Sequence, residues 1–209
     1  MAKKFQSEQE VFWAGGFGDE YTIRNDKEEL VPTTKKLMNS ALKSSSKLES
    51  VIEFGANVGL NLIAVKDLIP GVAATAVEIN SSAISKLKMI DDVKVIHGSI
   101  LESNKIEMYD LAMVIGVLIH IAPKYLPLAY ENIYRATRRY ILIGEYYSRQ
   151  PEEVSYRGYK NKLFKRDFAG EMLDKYTDLR LVDYGFFYHK DESSNLDDIT
   201  WFLMEKADI

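Results

Sequence analysis

The stretch VIEFGANVGLNLI, residues 51–63, joins a short apolar run to a glycine-containing turn and the start of a helical pattern. A strand, a tight glycine turn and a helix N-terminus form a nucleotide platform at the carboxyl edge of parallel sheets. The dinucleotide form of this turn needs a bare middle glycine and a small third residue, because its backbone approaches a pyrophosphate closely. Asn57 and Leu60 occupy those two positions, so the pattern disfavours NAD and FAD.

A cofactor without a phosphate fits the turn better. S-adenosylmethionine would place its amino-acid tail there, which tolerates Asn57 and uses the carboxylate of Glu53 for the ammonium group. Glu78 ends the next predicted strand, where a carboxylate is placed to bind both ribose hydroxyls. We therefore predict S-adenosylmethionine as the cofactor, and no metal. The predicted cofactor contacts are Trp13, Tyr21, Arg24, Glu53, Gly55, Asn57, Gly59, Glu78, Ile79, Ser99, Ile100 and Gly116.

Short apolar runs rich in valine and isoleucine alternate with helical patterns around this turn. The alternation predicts an α/β fold with parallel strands and crossover helices. Two last runs, with only a turn-like stretch between them, predict an antiparallel hairpin. The predicted strands are 50–54, 73–78, 93–97, 110–115, 140–144, 179–188 and 198–204. The predicted helices are 30–42, one from Val58 to Pro70, one capped by Asn80, one opened by Pro123 and one from Asp167 to Tyr176.

Length and composition predict a single globular domain. The 209 residues divide into an N-terminal lid and helix (1–46), a cofactor-binding core (47–145) and an acceptor-binding segment with the closing hairpin (146–209). A formal charge of -4 with both signs mixed disfavours nucleic acid as a partner. No apolar run approaches the roughly 20 residues that span a bilayer, and cysteine is absent. We expect a cytoplasmic protein that binds no membrane; the oligomeric state stays open.

Residues 50–145 contain, in this order, the motifs EFGANVGLN, AVEIN, HGSI and GVLIHI. Their order and spacing resemble those of class I S-adenosylmethionine-dependent methyltransferases. The resemblance implies a Rossmann-like fold with a seven-stranded, mostly parallel sheet whose last strand is antiparallel. Outside this core, the segments FWAGGFGDEYTIRN, YRGYKNKLFKRDF and LVDYGFFYHKD are similar to pseudaminic acid biosynthesis-associated methylases. That narrower resemblance implies an acceptor of the nonulosonic acid type or a nucleotide-linked sugar.

The segment FWAGGFGDEYTIRN, residues 12–25, holds too many aromatic residues and glycines for a plain amphipathic helix. Glycines at 15, 16 and 18 allow sharp bends, and the aromatic rings supply flat surfaces. We predict a lid in which Trp13 and Tyr21 exclude water and offer cation–π contact to the sulfonium. Arg24 is predicted to pair with the cofactor carboxylate. A leader simply packed on the core is the alternative.

Methyl transfer from a sulfonium requires alignment and exclusion of water more than acid or covalent catalysis. His120 follows the fourth predicted strand and titrates near working pH, so it is predicted to be the base or hydrogen-bond acceptor, with Tyr21 as a second catalytic candidate. A core or capping histidine is the alternative. The predicted acceptor contacts are Phe17, Tyr147, Tyr156, Arg157, Lys165 and Arg166, whose basic members suit an anionic group. A solvated charged loop would also explain those basic residues.

Three functions fit these features. The first is methyl transfer to an amine or hydroxyl of a small, sugar-like and anionic acceptor. The second is an amino-acid or natural-product N-methyltransferase, and the third is a protein that binds S-adenosylmethionine without turnover. No NPPY-like stretch follows the fourth predicted strand, which disfavours an amide or nucleobase nitrogen as the acceptor atom.

Overall fold

A seven-stranded sheet lies at the centre of the computed structural model, which describes residues 5–26, 28–102, 107–192 and 196–207. Its strands are β1 (Ser50–Phe54), β2 (Ala73–Glu78), β3 (Val93–His97), β4 (Tyr109–Ile115), β5 (Thr137–Glu145), β8 (Leu179–Phe187) and β9 (Ile199–Lys206). A separate two-stranded sheet consists of β6 (Glu152–Tyr156) and β7 (Tyr159–Lys165). The helices are α1 (Glu8–Ala14), α2 (Gly16–Asn25), α3 (Val31–Leu42), α4 (Leu60–Leu68), α5 (Ser81–Leu87), α6 (Leu126–Arg135) and α7 (Phe168–Lys175).

The strand order in the large sheet is β3-β2-β1-β4-β5-β9-β8. Strands β1 to β5 pair in parallel, whereas β9 is antiparallel to both of its neighbours, β5 and β8. This confirms the predicted fold: a Rossmann-like, mostly parallel sheet with an antiparallel last strand. It also brings the carboxyl ends of five consecutive strands to one edge, which is where ligands bind in open α/β sheets.

Both faces of the sheet are covered, because alternate residues of each strand point to opposite sides. On one face Val51 packs with Leu37 of α3 and Leu62 of α4. On the other face Ile52 packs with Ile133 of α6 and Phe168 of α7. The apolar runs of the sequence therefore fill two clusters, and the polar strand ends lie at the carboxyl edge.

The predicted helix starts are close to the observed ones, with informative differences. Asn80 and Asp167 cap their helices as predicted, with side-chain oxygens accepting from the backbone N–H groups of Ala83 and Gly170. The helix expected from Val58 begins at Leu60, because the preceding Gly59 adopts a left-handed conformation with φ of 83°. Pro123 opens a short 3-10 turn that leads into α6.

The hairpin β6–β7 was not predicted, because its sequence YRGYKNKLFKR was interpreted as a basic stretch that contacts the acceptor or forms a solvated loop, and no strand was assigned to it. The strands are joined by Arg157 and Gly158, with φ of 50° and 85°. Two consecutive positive φ angles describe a type I′ turn, the connection that matches the twist of a tight hairpin. Residues 193–195, in the middle of the turn-like stretch 189–198 predicted between the last two strands, lie outside the described residues.

The N-terminal segment forms two short helices that cover the carboxyl edge. A capping box between Ser7 and Glu10 starts α1, and the chain breaks once, at Gly15, before α2 begins. Of the three glycines that allow sharp bends, Gly15 lies at the break, and Gly16 and Gly18 lie within α2. The predicted N-terminal helical lid is nevertheless present as a cover.

Candidate functional site

A cavity of about 630 Å³ lies between the carboxyl edge of the sheet and the two N-terminal helices. Its floor is formed by the turns that follow β1, β3 and β4 and by the last residues of β2 and β5. Most of the predicted cofactor residues line it. They are Trp13, Tyr21, Arg24, Gly55, Asn57, Glu78, Ile79, Ser99, Ile100 and Gly116.

The turn after β1 explains the asparagine that breaks the dinucleotide pattern. Asn57 has φ of 47°, and asparagine tolerates this left-handed conformation better than most residues with a side chain. Its Oδ1 accepts a hydrogen bond from Thr22 of α2 at 3.2 Å. Gly59 was predicted to contact the cofactor, but it does not line the cavity. It lies against Ile90, to which a Cβ at this position would come within 2.5 Å. The side chain of Asn57 therefore binds the lid, and the missing side chain of Gly59 leaves room for Ile90.

Glu78 is buried at the end of β2, and its carboxylate binds the backbone on three sides. Oε1 accepts from the N–H groups of Ile79 at 2.7 Å and Asn80 at 2.8 Å, and Oε2 accepts from Asn57 at 2.8 Å. A carboxylate has about four acceptor positions, so roughly one remains for a ligand hydroxyl. Burial raises the pKa of Glu78.

Glu53 is buried in β1 and does not line the cavity, although the sequence predicted a direct contact to the cofactor. Its Oε1 accepts from Asn61 Nδ2 at 2.6 Å, and Asn61 is the member of the pair that lines the cavity. Its Oε2 is buried without a hydrogen-bond partner in the described chain. Burial raises the pKa of Glu53 to about 8.

The turn after β3 forms another part of the floor. Ser99 and Ile100 both line the cavity and are both buried. Ser99 Oγ accepts from the backbone N–H of Leu101 at 3.0 Å, which fixes the turn as it leaves the sheet. Together with Ile79 this places one hydroxyl between two apolar side chains, a combination that suits a heteroaromatic ring.

His120 sits in a 3-10 turn, Leu118–His120, that follows β4. Its Nδ1 donates to the carbonyl of Lys162 in β7 at 2.5 Å, because a carbonyl can only accept. The lone pair of the neutral ring is therefore on Nε2. Burial lowers the pKa of His120 from 6.5 to about 4. At neutral pH this side chain is an uncharged hydrogen-bond acceptor that lines the cavity.

Glu145, the last residue of β5, was missed by the sequence analysis. Oε1 accepts from the backbone N–H groups of Val117 at 2.9 Å and Leu118 at 2.8 Å, at the start of the turn that holds His120. Oε2 has no partner in the described chain, although the residue is only 3% exposed. Burial raises the pKa of Glu145 to about 8. An acid that ends an apolar strand beside a glycine, as in ILIGE, was the available signal.

The N-terminal helices contribute aromatic rings and two unpartnered donors. Trp13 packs on the His120 ring at 4.6 Å and meets Tyr21 edge-on at 5.1 Å. Trp13 Nε1 and Arg24 Nη2 are buried without a hydrogen-bond partner in the described chain. Burial raises the pKa of Tyr21 to about 12, so its phenol is protonated at neutral pH.

The lid is attached to the core through Asn80. Asn80 Nδ2 donates to the Trp13 carbonyl at 3.1 Å and to Asp19 Oδ1 at 2.9 Å. Asp19 Oδ1 also accepts from Ser82 Oγ at 2.7 Å, and this bond is the main reason that the pKa of Asp19 is lowered. The same asparagine caps α5, so one side chain serves both the core and the lid.

The residues predicted to bind the acceptor divide into two groups. Tyr156 and Arg157 line the cavity. The others do not, which corrects the prediction for four residues: Phe17, Tyr147, Lys165 and Arg166. Phe17 stacks on Phe12 at 4.2 Å within the lid, and Arg166 pairs with Glu171 of α7 at 2.6 Å. The guanidinium group of Arg166 is therefore bound to an acid outside the cavity.

Tyr146 and Asp197 also line the cavity and were not predicted. Tyr146 donates its hydroxyl to Asp197 Oδ2 at 2.8 Å, across the gap between β5 and the segment before β9. This contact joins residues 51 positions apart, and no local pattern in the sequence indicates it.

No protein-family model and no curated protein matches this sequence. Solved structures do match. Over its whole length the chain is similar to 1,6-didemethyltoxoflavin-N1-methyltransferase from Burkholderia thailandensis, solved with S-adenosylhomocysteine, with a TM-score of 0.71, 14% identity and 94% of that chain covered. It is also similar to the N-methyltransferase NodS from Bradyrhizobium japonicum WM9 (TM-score 0.66, 15% identity, 92% of this chain and 98% of that chain).

A third similar structure is magnesium protoporphyrin IX methyltransferase from Synechocystis PCC 6803 with bound S-adenosylmethionine (TM-score 0.64, 11% identity, 98% of this chain and 100% of that chain). The chain has the class I methyltransferase fold. At these identities the likeness establishes the fold alone.

None of the helices in the described ranges has the length and apolar character needed to cross a bilayer. Within the same ranges no group of three or more acidic or histidine side chains is placed to hold a metal ion.

Proposed function

We propose that this protein transfers a methyl group from S-adenosylmethionine to an amine or hydroxyl of a small, sugar-like acceptor. One observation carries the proposal: a single cavity joins a nucleoside-sized floor at the sheet edge to a second region around His120, Tyr156 and Arg157. The class I methyltransferase fold supports the same activity, since its three reported neighbours are methyltransferases solved with this cofactor or its product.

The floor of the cavity suits an adenosyl group. Glu78 has an acceptor position left for a ribose hydroxyl, after binding three backbone N–H groups. Ile79, Ser99 and Ile100 provide the mixed apolar and hydroxyl surface that a purine ring prefers. S-adenosylmethionine has no phosphate, so the turn after β1 does not need the bare middle glycine of a dinucleotide site, and Asn57 at that position is compatible with it.

The methionine end of the cofactor carries a carboxylate and an ammonium group. The described chain has both a buried guanidinium nitrogen and buried carboxyl oxygens that lack a hydrogen-bond partner. Arg24 Nη2, which is buried without a hydrogen-bond partner in the described chain, donates to the carboxylate in this proposal. Asn61 lines the cavity and is bound to Glu53, so the acid acts on an ammonium group through this amide. A buried polar atom without a partner destabilises the protein by about 1–3 kcal/mol, and a bound ligand removes that penalty.

The cofactor, when bound, supplies a methyl group on a positively charged sulfur: a lone pair of the acceptor forms the new bond to carbon as the carbon–sulfur bond breaks and its electrons stay on sulfur. The chain's own residues bind, orient and exclude water. Trp13 and Tyr21 close the cavity from above. His120 accepts a hydrogen bond through Nε2 and thereby orients the acceptor, while its pKa of about 4 makes it a weak proton acceptor.

The nature of the acceptor is the less constrained part of this proposal. The similarity to pseudaminic acid biosynthesis-associated methylases supports a sugar-like acceptor. Arg157 at the mouth of the cavity suits a carboxylate or phosphate on such a molecule. An amino-acid or natural-product N-methyltransferase is the second candidate, favoured by the carboxylates of Glu145 and Asp197 in the cavity wall, which suit an amine.

Calorimetry with S-adenosylhomocysteine, followed by methyl-transfer assays over sugars, amino sugars and amines, tests the function. We expect Glu78→Ala to weaken binding of the product by about tenfold or more, as expected for loss of a hydrogen bond to a charged group. Glu131→Gln, on the exposed side of α6, serves as the control. Absence of binding by the unmodified protein would refute the proposed cofactor, and binding without any methyl transfer would favour a protein without turnover.

His120 is tested with two substitutions that separate its nitrogens. Asn at position 120 places an N–H donor near the position of Nδ1, so it can keep the bond to Lys162, whereas Gln reaches the position of Nε2. If Nε2 orients the acceptor, His120→Asn lowers kcat by about 10- to 100-fold, while the affinity for S-adenosylhomocysteine stays the same. An unchanged kcat in His120→Asn would remove His120 from the reaction.

A further inference from the structure

Glu145 has an arrangement that a purely structural acid does not need. One carboxylate oxygen, Oε1, holds the backbone of Val117 and Leu118 and so fixes the turn that carries His120. The other oxygen, Oε2, is buried in the wall of the cavity and has no partner in the described chain. Leaving a buried acceptor unpaired is unfavourable, so the free oxygen indicates a partner that arrives with a ligand.

The surroundings of Glu145 favour a cationic partner. Trp13, Tyr156 and His120 form a cluster of rings, with the centres of Trp13 and Tyr156 at 4.6 Å and 4.9 Å from the His120 ring and 6.3 Å from each other. These rings and Glu145 line the same cavity, and such a wall suits an ammonium group, since aromatic faces and carboxylates both attract positive charge. The other titratable side chains of this end of the cavity are Tyr21, Tyr146, Arg157 and Asp197, and Tyr130 of α6 acts on Glu145 electrostatically.

We propose that Glu145 Oε2 binds the ammonium group of the acceptor and receives a proton from it, so that the acceptor is a primary or secondary amine. The proposal rests on the proposed methyl transfer and specifies its acceptor. An N–H bond of the ammonium group breaks, the proton moves to Oε2, and the nitrogen keeps the electron pair that forms its bond to the methyl carbon. Glu145 keeps this proton after the product leaves and gives it up to water when the next ammonium group binds.

His120 is less suited to this step. Its pKa of about 4 makes the imidazole too weak a base for an ammonium group, whereas burial raises the pKa of Glu145 to about 8. A proton acceptor works best when its pKa lies near the working pH. The two residues then divide the work, with His120 orienting the acceptor and Glu145 taking the proton.

The first test compares two matched probes on the unmodified protein saturated with S-adenosylhomocysteine. D-glucosamine carries an amine where D-glucose carries a hydroxyl, and calorimetry measures the affinity of each. We expect glucosamine to bind at least about tenfold more tightly, as for a hydrogen bond between charged groups. At about pH 6, both the free acid and the free ammonium are protonated and the complex shares one proton, so binding should release close to one proton. Measurements in two buffers of different ionisation enthalpy give that number.

Glu145→Gln isolates the charge. Its amide oxygen still accepts from Val117 and Leu118, but it carries no negative charge. We expect this variant to keep its affinity for S-adenosylhomocysteine and to lose both the preference for glucosamine and the proton release. Glu131→Gln, outside the cavity, should behave as the unmodified protein.

The outcomes separate the two proposals. If S-adenosylhomocysteine does not bind, the proposed function fails. If it binds but the unmodified protein does not prefer glucosamine over glucose, or releases no proton, the role of Glu145 is refuted and the methyl transfer is not. A Gln variant that keeps the preference for the amine also refutes it.

Discussion

At the scale of single residues, the molecule departs from common patterns where a side chain has two tasks. Asn57 occupies a left-handed position that glycine would fill more easily, and its amide also holds Thr22 of the lid. Glu145 and Glu53 are buried acids with one satisfied and one unpartnered oxygen each. An unpartnered buried oxygen destabilises the folded chain, and of these two acids Glu145 lines the cavity, where a ligand could supply the partner.

Substitution of Asn57 tests the balance between backbone strain and the contact to the lid. Asn57→Ala should lower the free energy of unfolding by about 1–2 kcal/mol, because alanine is disfavoured at a φ of 47°. Asn57→Gly removes the same amide without the strain, so its loss should be smaller. Urea denaturation of both variants gives the comparison, and an equal loss in both would exclude strain as the cause.

The buried acids predict a pH dependence of stability. Glu53 and Glu145 have pKa values raised to about 8 from 4.5, so the folded state binds more protons than the unfolded state between these values. The free energy of unfolding therefore decreases as the pH rises from 4.5 to about 8, by up to about 1.4 kcal/mol per pH unit for each acid. Below pH 4.5 each acid is protonated in both states and its contribution is fully present. The lowered pKa of His120 acts in the opposite sense, but only between pH 4 and 6.5.

The window from pH 6.5 to 8 therefore reports the acids with little contribution from His120. We expect Glu53→Gln to flatten the decline of unfolding free energy in this window, while its amide oxygen keeps the bond from Asn61. Denaturation at several pH values measures the slope. The slope should be unchanged in Glu131→Gln, and an unchanged slope in Glu53→Gln would contradict the raised pKa of Glu53.

At the scale of elements, α1 and α2 form a cover whose packing depends on one glycine. A Cβ on Gly18 would lie 1.8 Å from the Trp13 carbonyl and 2.8 Å from Asn80 Nδ2, the two groups that attach the lid. The neighbouring Gly16 has open space around the same position. The two glycines lie in one helix and differ only in what surrounds them, which makes them a matched pair.

Gly18→Ala should displace the lid and weaken binding of S-adenosylhomocysteine by at least about tenfold, because Trp13 and Arg24 move away from the cavity. Gly16→Ala should leave the affinity unchanged. Calorimetry measures the affinities, and circular dichroism checks that the core keeps its secondary structure. Equal affinities in the two variants would show that the lid does not contribute to binding.

At the scale of the whole molecule, cofactor binding and stability should be coupled through the lid. A ligand that binds only the folded state stabilises it by about 2.7 kcal/mol at 100 times its Kd. We expect S-adenosylhomocysteine to raise the Tm of the full chain and to leave that of a chain lacking residues 1–25 unchanged. Thermal denaturation with and without ligand tests this, and an equal shift in the truncated chain would refute a role of the lid in binding.

The sequence by itself determined the architecture and the floor of the cavity, because both depend on local patterns. Apolar runs alternating with helical periodicity are enough to predict β1 to β5, their crossovers and the final hairpin, and Glu78 follows its strand in the chain. The cap at Asn80 was predictable for the same reason, although its bond to the lid was not.

Only the tertiary structure decided which of the remaining polar residues reach the cavity. Arg166 and Arg157 belong to the same basic stretch, yet one pairs with Glu171 and the other lines the cavity. Glu145 ends an apolar strand, as many acids do. Its Oε1 binds the backbone of a turn 28 residues earlier, and its Oε2 is left without a partner in the described chain. These partners are distant along the chain and are brought together by tertiary packing, so local composition and spacing do not predict them.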